Sequence, residues 1–216
     1  MDKIIMLGTG HGGTVDLYHT CFLIQNDNGN FLVDTGGGIE IIKRLDLVGV
    51  DFKSIKHIFI SHSHTDHILG IFWLFKKLSS IAMHSPIRDK INIYCNDVVC
   101  EAIKGVAKYI LPDKLMNVMY SIINFIILDD GDTYNINGVD YTFFNVHARG
   151  TKLYGFKCIL NNKTLAFLGD ETLNPNLYNT IKGYDYVMHE AFCLDAEEKN
   201  FMPMKKIIQP RKVLVR

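Results

Sequence analysis

The sequence predicts an α/β layered domain in which strands outnumber helices but the two kinds of segment interleave. Short apolar runs typical of strands, such as Ile55–Ile60, alternate with segments that have helical apolar spacing, such as Ile39–Leu47 and Ile68–Leu78. The 216 residues contain no repeat at a fixed period and suffice for one domain with a sizeable core. We therefore expect one domain over residues 1–200 and an atypical tail over residues 201–216.

The remaining segments fit the same pattern. Two hairpins are expected, across Asn26–Gly29 and across Asn161–Lys163, because Asn and Gly are typical of tight turns. The other expected elements are strands Lys3–Leu7, Cys21–Gln25, Asn30–Val33, Lys90–Tyr94, Tyr154–Leu160, Thr164–Leu168 and Tyr184–Met188, two or three strands between Ile122 and Val146, and helices Val98–Ile110 and Pro175–Lys182.

Four of these strands end at, or just before, a His or an Asp. The residues are His62, His147, Asp170 and His189. Because loops on a rigid scaffold carry much of the catalytic chemistry of proteins, we expect these side chains to gather at one rim of a sheet.

Charge and composition argue against several classes of protein. The 23 basic and 23 acidic residues balance, but five basic residues lie in the last twelve positions, which leaves 18 basic against 23 acidic elsewhere. This acidic body argues against a large RNA as the main substrate. No apolar stretch approaches the roughly 20 residues of a membrane helix, and no signal peptide opens the chain. The five scattered cysteines form no C-x-x-C pair, so a cytoplasmic protein is expected.

The run from Ser61 to His67 holds four potential metal ligands, His62, His64, Asp66 and His67. Imidazole and carboxylate groups suit zinc, iron or manganese. His62 and His64 are two apart, so in an extended segment both point to one side and can hold one ion. Asp66 and His67 follow where a helix begins and can face a second ion. Two ions about 3.5–4 Å apart form a hydrolytic site that activates a bridging water. A surface histidine cluster or a helix cap is the alternative.

This run, with Gly70 after it, resembles the H-x-H-x-D-H signature of the metallo-β-lactamase superfamily. Leu7-Gly8-Thr9-Gly10 and Val33-Asp34-Thr35-Gly36 resemble the ribonuclease Z-like branch of that superfamily. So does His189-Glu190-Ala191-Phe192, which is similar to an H-E-A-T-F motif without its Thr. The resemblance covers roughly residues 3–200. It implies a four-layer αβ/βα sandwich with metal ions at one edge, and the activity of a metal-dependent hydrolase.

The resemblance further implies two divalent metal ions, with zinc expected and manganese or iron as alternatives. His62 and His64 would hold the first ion together with a later histidine, for which His147 is the candidate. Asp66 and His67 would hold the second ion.

Three more roles follow from the resemblance. Asp170 would bridge the two ions, and Asp66 would orient the hydroxide that they share. His189 would act as the general acid that protonates the leaving oxygen, with Glu190 orienting it. Taken without the resemblance, Asp170 could belong to an ordinary turn and His189 could be a core histidine.

The leading hypothesis is hydrolysis of a phosphodiester, in a small molecule or a short nucleotide ester. Members that process transfer RNA carry a long arm between the third His and the bridging Asp, whereas His147 and Asp170 are only 23 positions apart. A lactone or thioester hydrolase is the alternative enzyme, and a catalytically impaired metal-binding module is the alternative of another class. Because dimers are common among relatives, a homodimer is a further hypothesis.

The tail departs from the resemblance, because the branch has one more ligand, a His in an H-S-T motif, and no His follows His189 here. Codons permitted for Met204–Lys212 can be written so that a shifted frame reads Glu-Lys-Asn-His-Ser-Thr-Ala-Lys. This reading contains the missing motif. We therefore hypothesise that the tail is a frameshifted version of a longer ancestral end.

Sequencing the gene across Met204–Lys212 tests the frameshift hypothesis. The expected result is a set of codons that encodes H-S-T when read two bases into this segment. Codons that do not encode H-S-T in a shifted frame would rule the hypothesis out.

Overall fold

The computed structural model describes residues 1–87, 89–148, 150–170, 175–189 and 212–215. The chain divides into two compact units, residues 1–128 and residues 129–216. Each unit contains one six-stranded sheet and at least one helix. The predicted α/β fold class is confirmed. The predicted division into a domain over residues 1–200 and a tail over residues 201–216 stays a prediction.

The first unit consists of a sheet and the helices that pack on one of its faces. In the sheet order β1-β2-β3-β4-β5-β6, the first three strands pair antiparallel and the last four run parallel. Its strands are β1 (Lys3–Gly8), β2 (Cys21–Asn26), β3 (Gly29–Val33), β4 (Ile55–Ile60), β5 (Ile91–Cys95) and β6 (Ile123–Ile127), and its helices are α1 (Glu40–Leu47), α2 (Thr65–Ile68), α3 (Gly70–His84), α4 (Asp97–Ile110) and α5 (Asp113–Ile122).

The core of the first unit lies between this sheet and the apolar faces of the helices. Leu74 and Leu78 of α3 and Ile103 of α4 are fully buried in one cluster with sheet residues such as Ile58 and Ile93. Burial of such side chains contributes about 1.5–3 kcal/mol each. Because β3 and β4 are parallel neighbours, the residues that follow them emerge at the same edge of the sheet.

Helix α5 of the first unit was not predicted from the sequence pattern. It begins after Pro112, whose fixed φ suits the start of a helix. Its fully buried residue is Met119, and Ile122 is also buried. The helix is short and ends at Ile122, and β6 begins at the next residue, Ile123. Apolar residues of a helix and of a strand therefore follow one another in the sequence without a break.

The second unit contains the other sheet, with strand order β12-β11-β10-β9-β8-β7. Strands β8, β10 and β11 run in one direction, because β9 is antiparallel to both β8 and β10 while β10 and β11 are parallel. The carboxyl ends of these three strands therefore meet at one edge of the sheet. The elements are β7 (Thr133–Ile136), β8 (Val139–Asn145), β9 (Tyr154–Leu160), β10 (Lys163–Phe167), α6 (Pro175–Ile181), β11 (Tyr186–His189) and β12 (Lys212–Val215).

Two tight hairpins shape the second sheet. The turn between β7 and β8 consists of Asn137 and Gly138, and the turn between β9 and β10 consists of Asn161 and Asn162. All four residues have positive φ, as a two-residue hairpin turn requires. The predicted hairpin at Asn161 is confirmed. Among the helices of the described residues, none is both long enough and apolar enough to cross a bilayer.

Gly70 allows α3 to begin against the turn that follows β3. A Cβ atom at Gly70 would lie 2.0 Å from the carbonyl oxygen of Thr35. We therefore expect Gly70→Ala to lower the free energy of unfolding by about 1–3 kcal/mol through overpacking.

Urea unfolding measures this effect, with Gly105→Ala as the matched control. Gly105 lies within α4, and a Cβ there would meet nothing within 4 Å. The control should raise the free energy of unfolding by about 0.5–1 kcal/mol, because alanine favours the helix. Equal effects of the two substitutions would contradict the proposed close approach at Gly70.

Candidate metal centre

The histidine run occupies the edge of the first sheet, directly after β4. His62 follows the strand, and the backbone at His64 is extended where α2 begins. The imidazole rings of His62 and His64 lie with their centroids 4.5 Å apart. The extended spacing therefore places the two rings side by side, as the sequence predicted.

Asp66 and His67 lie in α2, within reach of the same rings. The ring centroids of His62 and His67 are 4.2 Å apart, and each ring offers a nitrogen within 4.8 Å of the other. Oδ2 of Asp66 lies 3.3 Å from Nε2 of His67. His62 and His67 are fully buried and Asp66 is 8% exposed. The extended segment with His62 and His64, followed by the single turn of α2 with Asp66 and His67, thus brings the four predicted ligands of the first unit together.

The Asp34 carboxylate braces this group, in the sense that it holds Ser61 and His67 by hydrogen bonds. It accepts hydrogen bonds from the backbone N–H of Ser61 and from its hydroxyl, each at 2.8 Å, and from Nδ1 of His67 at 2.8 Å. Asp34 is fully buried. Because Nδ1 of His67 donates to Asp34, the neutral form of this imidazole would carry its lone pair on Nε2, which is the atom beside Asp66.

Ser61 fixes the orientation of His62 in the same way. Its Oγ lies 3.0 Å from Nδ1 of His62. The single hydroxyl proton is used in the bond to Asp34, so Nδ1 of His62 is the donor in this contact and Nε2 carries the lone pair. This assignment follows from the hydrogen-bond network. Histidines that bind metals typically donate their far ring nitrogen to a carboxylate, a backbone carbonyl or water, and at His62 the Ser61 hydroxyl oxygen is the acceptor.

The backbone of the turn after β3 holds His67 by a second route. Thr35 donates to the carbonyl oxygen of His67 from its backbone N–H at 2.9 Å and from its hydroxyl at 2.8 Å. Asp34 has a φ of +53°, which is strained for a residue other than Gly. The strain is tolerated because hydrogen bonds fix the residue on both its backbone and its side chain.

The loop between β1 and β2 approaches Asp66 closely. A Cβ atom at Gly12 would lie 3.1 Å from Oδ2 of Asp66. The loop turns at His11, whose Nδ1 accepts from the N–H of Gly13 at 3.1 Å and whose carbonyl accepts from Thr14 at 3.0 Å. Gly12 therefore lets the backbone pass beside the candidate ligand.

The second unit carries its predicted site residues at one edge of its own sheet. His147 follows β8, Asp170 follows β10, and His189 is the last residue of β11. His189 is buried and His147 is exposed. His147 has a φ of +55°, and its backbone N–H donates to Oδ1 of Asn145 at 2.8 Å. Glu190 lies outside the described residues.

Sequence reasoning did not assign roles to Ser61 and Thr35. Both stand inside motifs that were singled out, one at the start of the histidine run and one after Asp34. The signal was therefore present, but a hydroxyl residue beside a ligand is common and its hydrogen-bond partner is not visible in sequence.

The donor set of the first unit fits a divalent metal ion. It consists of neutral imidazoles and a carboxylate, which are the ligands of zinc, manganese and iron sites in proteins. Hydrogen bonds at Nδ1 hold the imidazoles of His62 and His67 in the tautomer that leaves Nε2 available as a ligand atom.

The chain is similar in sequence to curated ribonuclease Z proteins. The curated ribonuclease Z of Picrophilus torridus is 31% identical over 173 residues, which cover 78% of this chain and 50% of that protein. The ribonuclease Z of Treponema pallidum strain Nichols is 39% identical over 82 residues, which cover 36% of this chain and 26% of that protein. The chain thus spans half or less of the length of these relatives.

Solved structures show the same fold. Human tRNase Z, short form, matches 100% of this chain and 92% of its own length, with a TM-score of 0.74 and 17% identity. A diphosphatase from the PhnP family matches 100% of this chain and 86% of its own length, with a TM-score of 0.74 and 15% identity. YhfI from Bacillus subtilis, titled a metallo-β-lactamase fold protein, matches 94% and 78%, with a TM-score of 0.74 and 16% identity.

The family described as anti-Pycsar protein Apyc1 matches residues 2–201, nearly the whole chain. The resemblance predicted from the histidine run is therefore confirmed. This chain belongs to the anti-Pycsar protein Apyc1 family, has the metallo-β-lactamase fold and is similar in sequence to ribonuclease Z proteins.

Proposed function

We propose that the chain is a metal-dependent hydrolase that cleaves a phosphodiester with two divalent metal ions. The observation that carries the proposal is the bracing of His62 and His67 by Ser61 and Asp34. A buried carboxylate that accepts from Nδ1 of a histidine leaves Nε2 as a ligand atom. Burying a carboxylate costs free energy, so this arrangement indicates a binding role.

The proposed ligand sets follow the resemblance. His62, His64 and His147 hold one ion, and Asp66 and His67 hold the other. Zinc is expected, with manganese or iron as alternatives. When bound, the ions supply an activated water and stabilise the negative charge that develops on the ester.

The other proposed roles belong to acidic and histidine side chains. Asp170 would contribute its carboxylate to both ions, and Asp66 would also orient the attacking water. His189 donates a proton to the leaving oxygen, with Glu190 orienting its ring. The position of His189 at the end of β11, on the sheet edge where Asp170 follows β10, supports this assignment.

The proposed substrate is a small phosphodiester or a short nucleotide ester. The names of the relatives point to phosphoester chemistry, since they include ribonuclease Z proteins and a PhnP-family diphosphatase. The acidic body of the chain and the short gap between His147 and Asp170 argue against a large RNA. The homodimer and the cytoplasmic location stay predictions.

A catalytically impaired metal-binding module is the second candidate. It is favoured by residues 202–212, which do not resemble the H-S-T segment of the branch. Such a module would bind metal through the braced histidines without turning over an ester.

Turnover of bis(p-nitrophenyl) phosphate by protein of known metal content tests the proposed function. We expect about two ions per chain by elemental analysis, and release of p-nitrophenolate that chelation abolishes and zinc or manganese restores. A lactone and a thioester serve as comparison substrates. Turnover of these esters without turnover of the phosphodiester would favour the alternative enzyme. No turnover with two ions bound would favour the metal-binding module.

Substitution Asp34→Asn tests the bracing. In the unmodified chain, both carboxylate oxygens of Asp34 accept hydrogen bonds from Ser61 and His67. In Asp34→Asn an NH2 group replaces one of these oxygens and faces a donor, so we expect metal affinity to fall by about 10- to 100-fold. Competition with a chromogenic chelator measures the affinity.

Asp46→Asn is the matched control for Asp34→Asn. It makes the same change of charge at an exposed position near the end of α1. Its metal affinity should equal that of the unmodified chain. An Asp34→Asn protein that also keeps this affinity would refute the bracing.

A further inference from the structure

The hydroxyl of Tyr18 connects the loop before β2 to the turn after β3. Tyr18 is 7% exposed, and its Oη lies 2.8 Å from the carbonyl oxygen of Thr35 and 2.8 Å from that of Gly38. A phenol has a single proton, so the two carbonyls share one donor. Burial raises the pKa of Tyr18, with the hydrogen bond to Gly38 opposing the effect, so the hydroxyl stays protonated and remains a donor.

The ring of Tyr18 is also fixed in place, by its neighbours Gly36 and Arg44. Gly36 has a φ of +69°, and a Cβ atom there would lie 2.5 Å from Cζ of Tyr18. The guanidinium of Arg44 lies 5.8 Å from the ring centroid, a cation–π distance. The turn and the ring therefore fit one another without space for a side chain between them.

The other side of the same turn holds the end of the metal-binding run. Thr35 donates twice to the carbonyl oxygen of His67, at 2.9 and 2.8 Å. The carbonyl oxygen of Gly36 accepts from the N–H of Gly70 at 2.9 Å. A shift of the turn would therefore displace the backbone at His67 and at Gly70.

We propose that Tyr18 is a positioning residue of the metal centre, whose hydroxyl holds the turn of residues 35–38 so that Thr35 fixes His67 for its ion. The proposal rests on the proposed function in taking His67 as a metal ligand. Tyr18 acts through Thr35 and does not itself bind metal or substrate. The competing view is that the hydroxyl only satisfies two carbonyl groups.

Substitution Tyr18→Phe removes the hydroxyl and keeps the ring. We expect the dissociation constant of the ion assigned to Asp66 and His67 to rise about three- to tenfold, less than for a direct partner of a ligand because one more residue intervenes. The other ion should keep its affinity within about twofold. Competition with a chromogenic chelator measures both, and added metal should restore the maximal turnover of bis(p-nitrophenyl) phosphate.

Tyr94→Phe is the matched control. Tyr94 is 3% exposed, and its hydroxyl lies 3.1 Å from Nδ1 of His57 on β4. The control makes the same chemical change in a buried tyrosine, so it should lower the free energy of unfolding without changing metal affinity. Equal loss of affinity in both variants, or unchanged affinity in a folded Tyr18→Phe protein, would overturn the proposal.

Thr35→Val provides a second variant if Tyr18→Phe does not fold. It deletes one of the two donors to His67, and Thr35→Ser keeps that donor as its control. We expect Thr35→Val to weaken the same ion and Thr35→Ser to retain its affinity. With both changes together, a combined effect smaller than the sum supports a shared route, whereas strict additivity contradicts it.

The unmodified chain separates this proposal from the proposed function. If it binds metal but hydrolyses no ester, the proposed function fails while the affinities still decide the role of Tyr18. If it binds no metal, the positioning role is overturned together with the metal centre.

Discussion

The buried carboxylate of Asp34 is the interaction on which the candidate centre depends. A carboxylate removed from water is costly unless its oxygens find donors. Here the donors are the two groups of Ser61 and the imidazole of His67. One side chain therefore joins the end of β3, the end of β4 and the start of α2. Loss of any donor would leave a buried charge less compensated, so the position of each partner is strongly determined.

One of the positive φ angles outside the hairpin turns belongs to Asp34 itself. Among the described residues other than Gly, five have positive φ. Three are the hairpin residues Asn137, Asn161 and Asn162, for which this conformation is ordinary. The other two are Asp34 and His147. At Asp34 the positive φ persists because hydrogen bonds to Ser61 and His67 fix the side chain.

The sequence was informative where chemistry follows from spacing. Two histidines two positions apart after a strand, and an Asp and a His at the start of a helix, predict neighbouring ligands, and the rings of His62, His64 and His67 do lie together. Contacts such as Tyr18 to Thr35 span 17 positions and depend on how a loop folds back, which no local pattern encodes. Helix α5 was missed because its apolar residues merge with those of β6.

Residues 212–215 contribute a strand to the second sheet. Strand β12 pairs in parallel with β11, and the register places His189 opposite Val215. A parallel neighbour supplies hydrogen bonds along the strand that ends at the candidate general acid. A change of frame would therefore alter two things at once, because it removes a potential ligand and rewrites the strand beside His189. Restoring the H-S-T reading without a strand-forming segment would correct only the first.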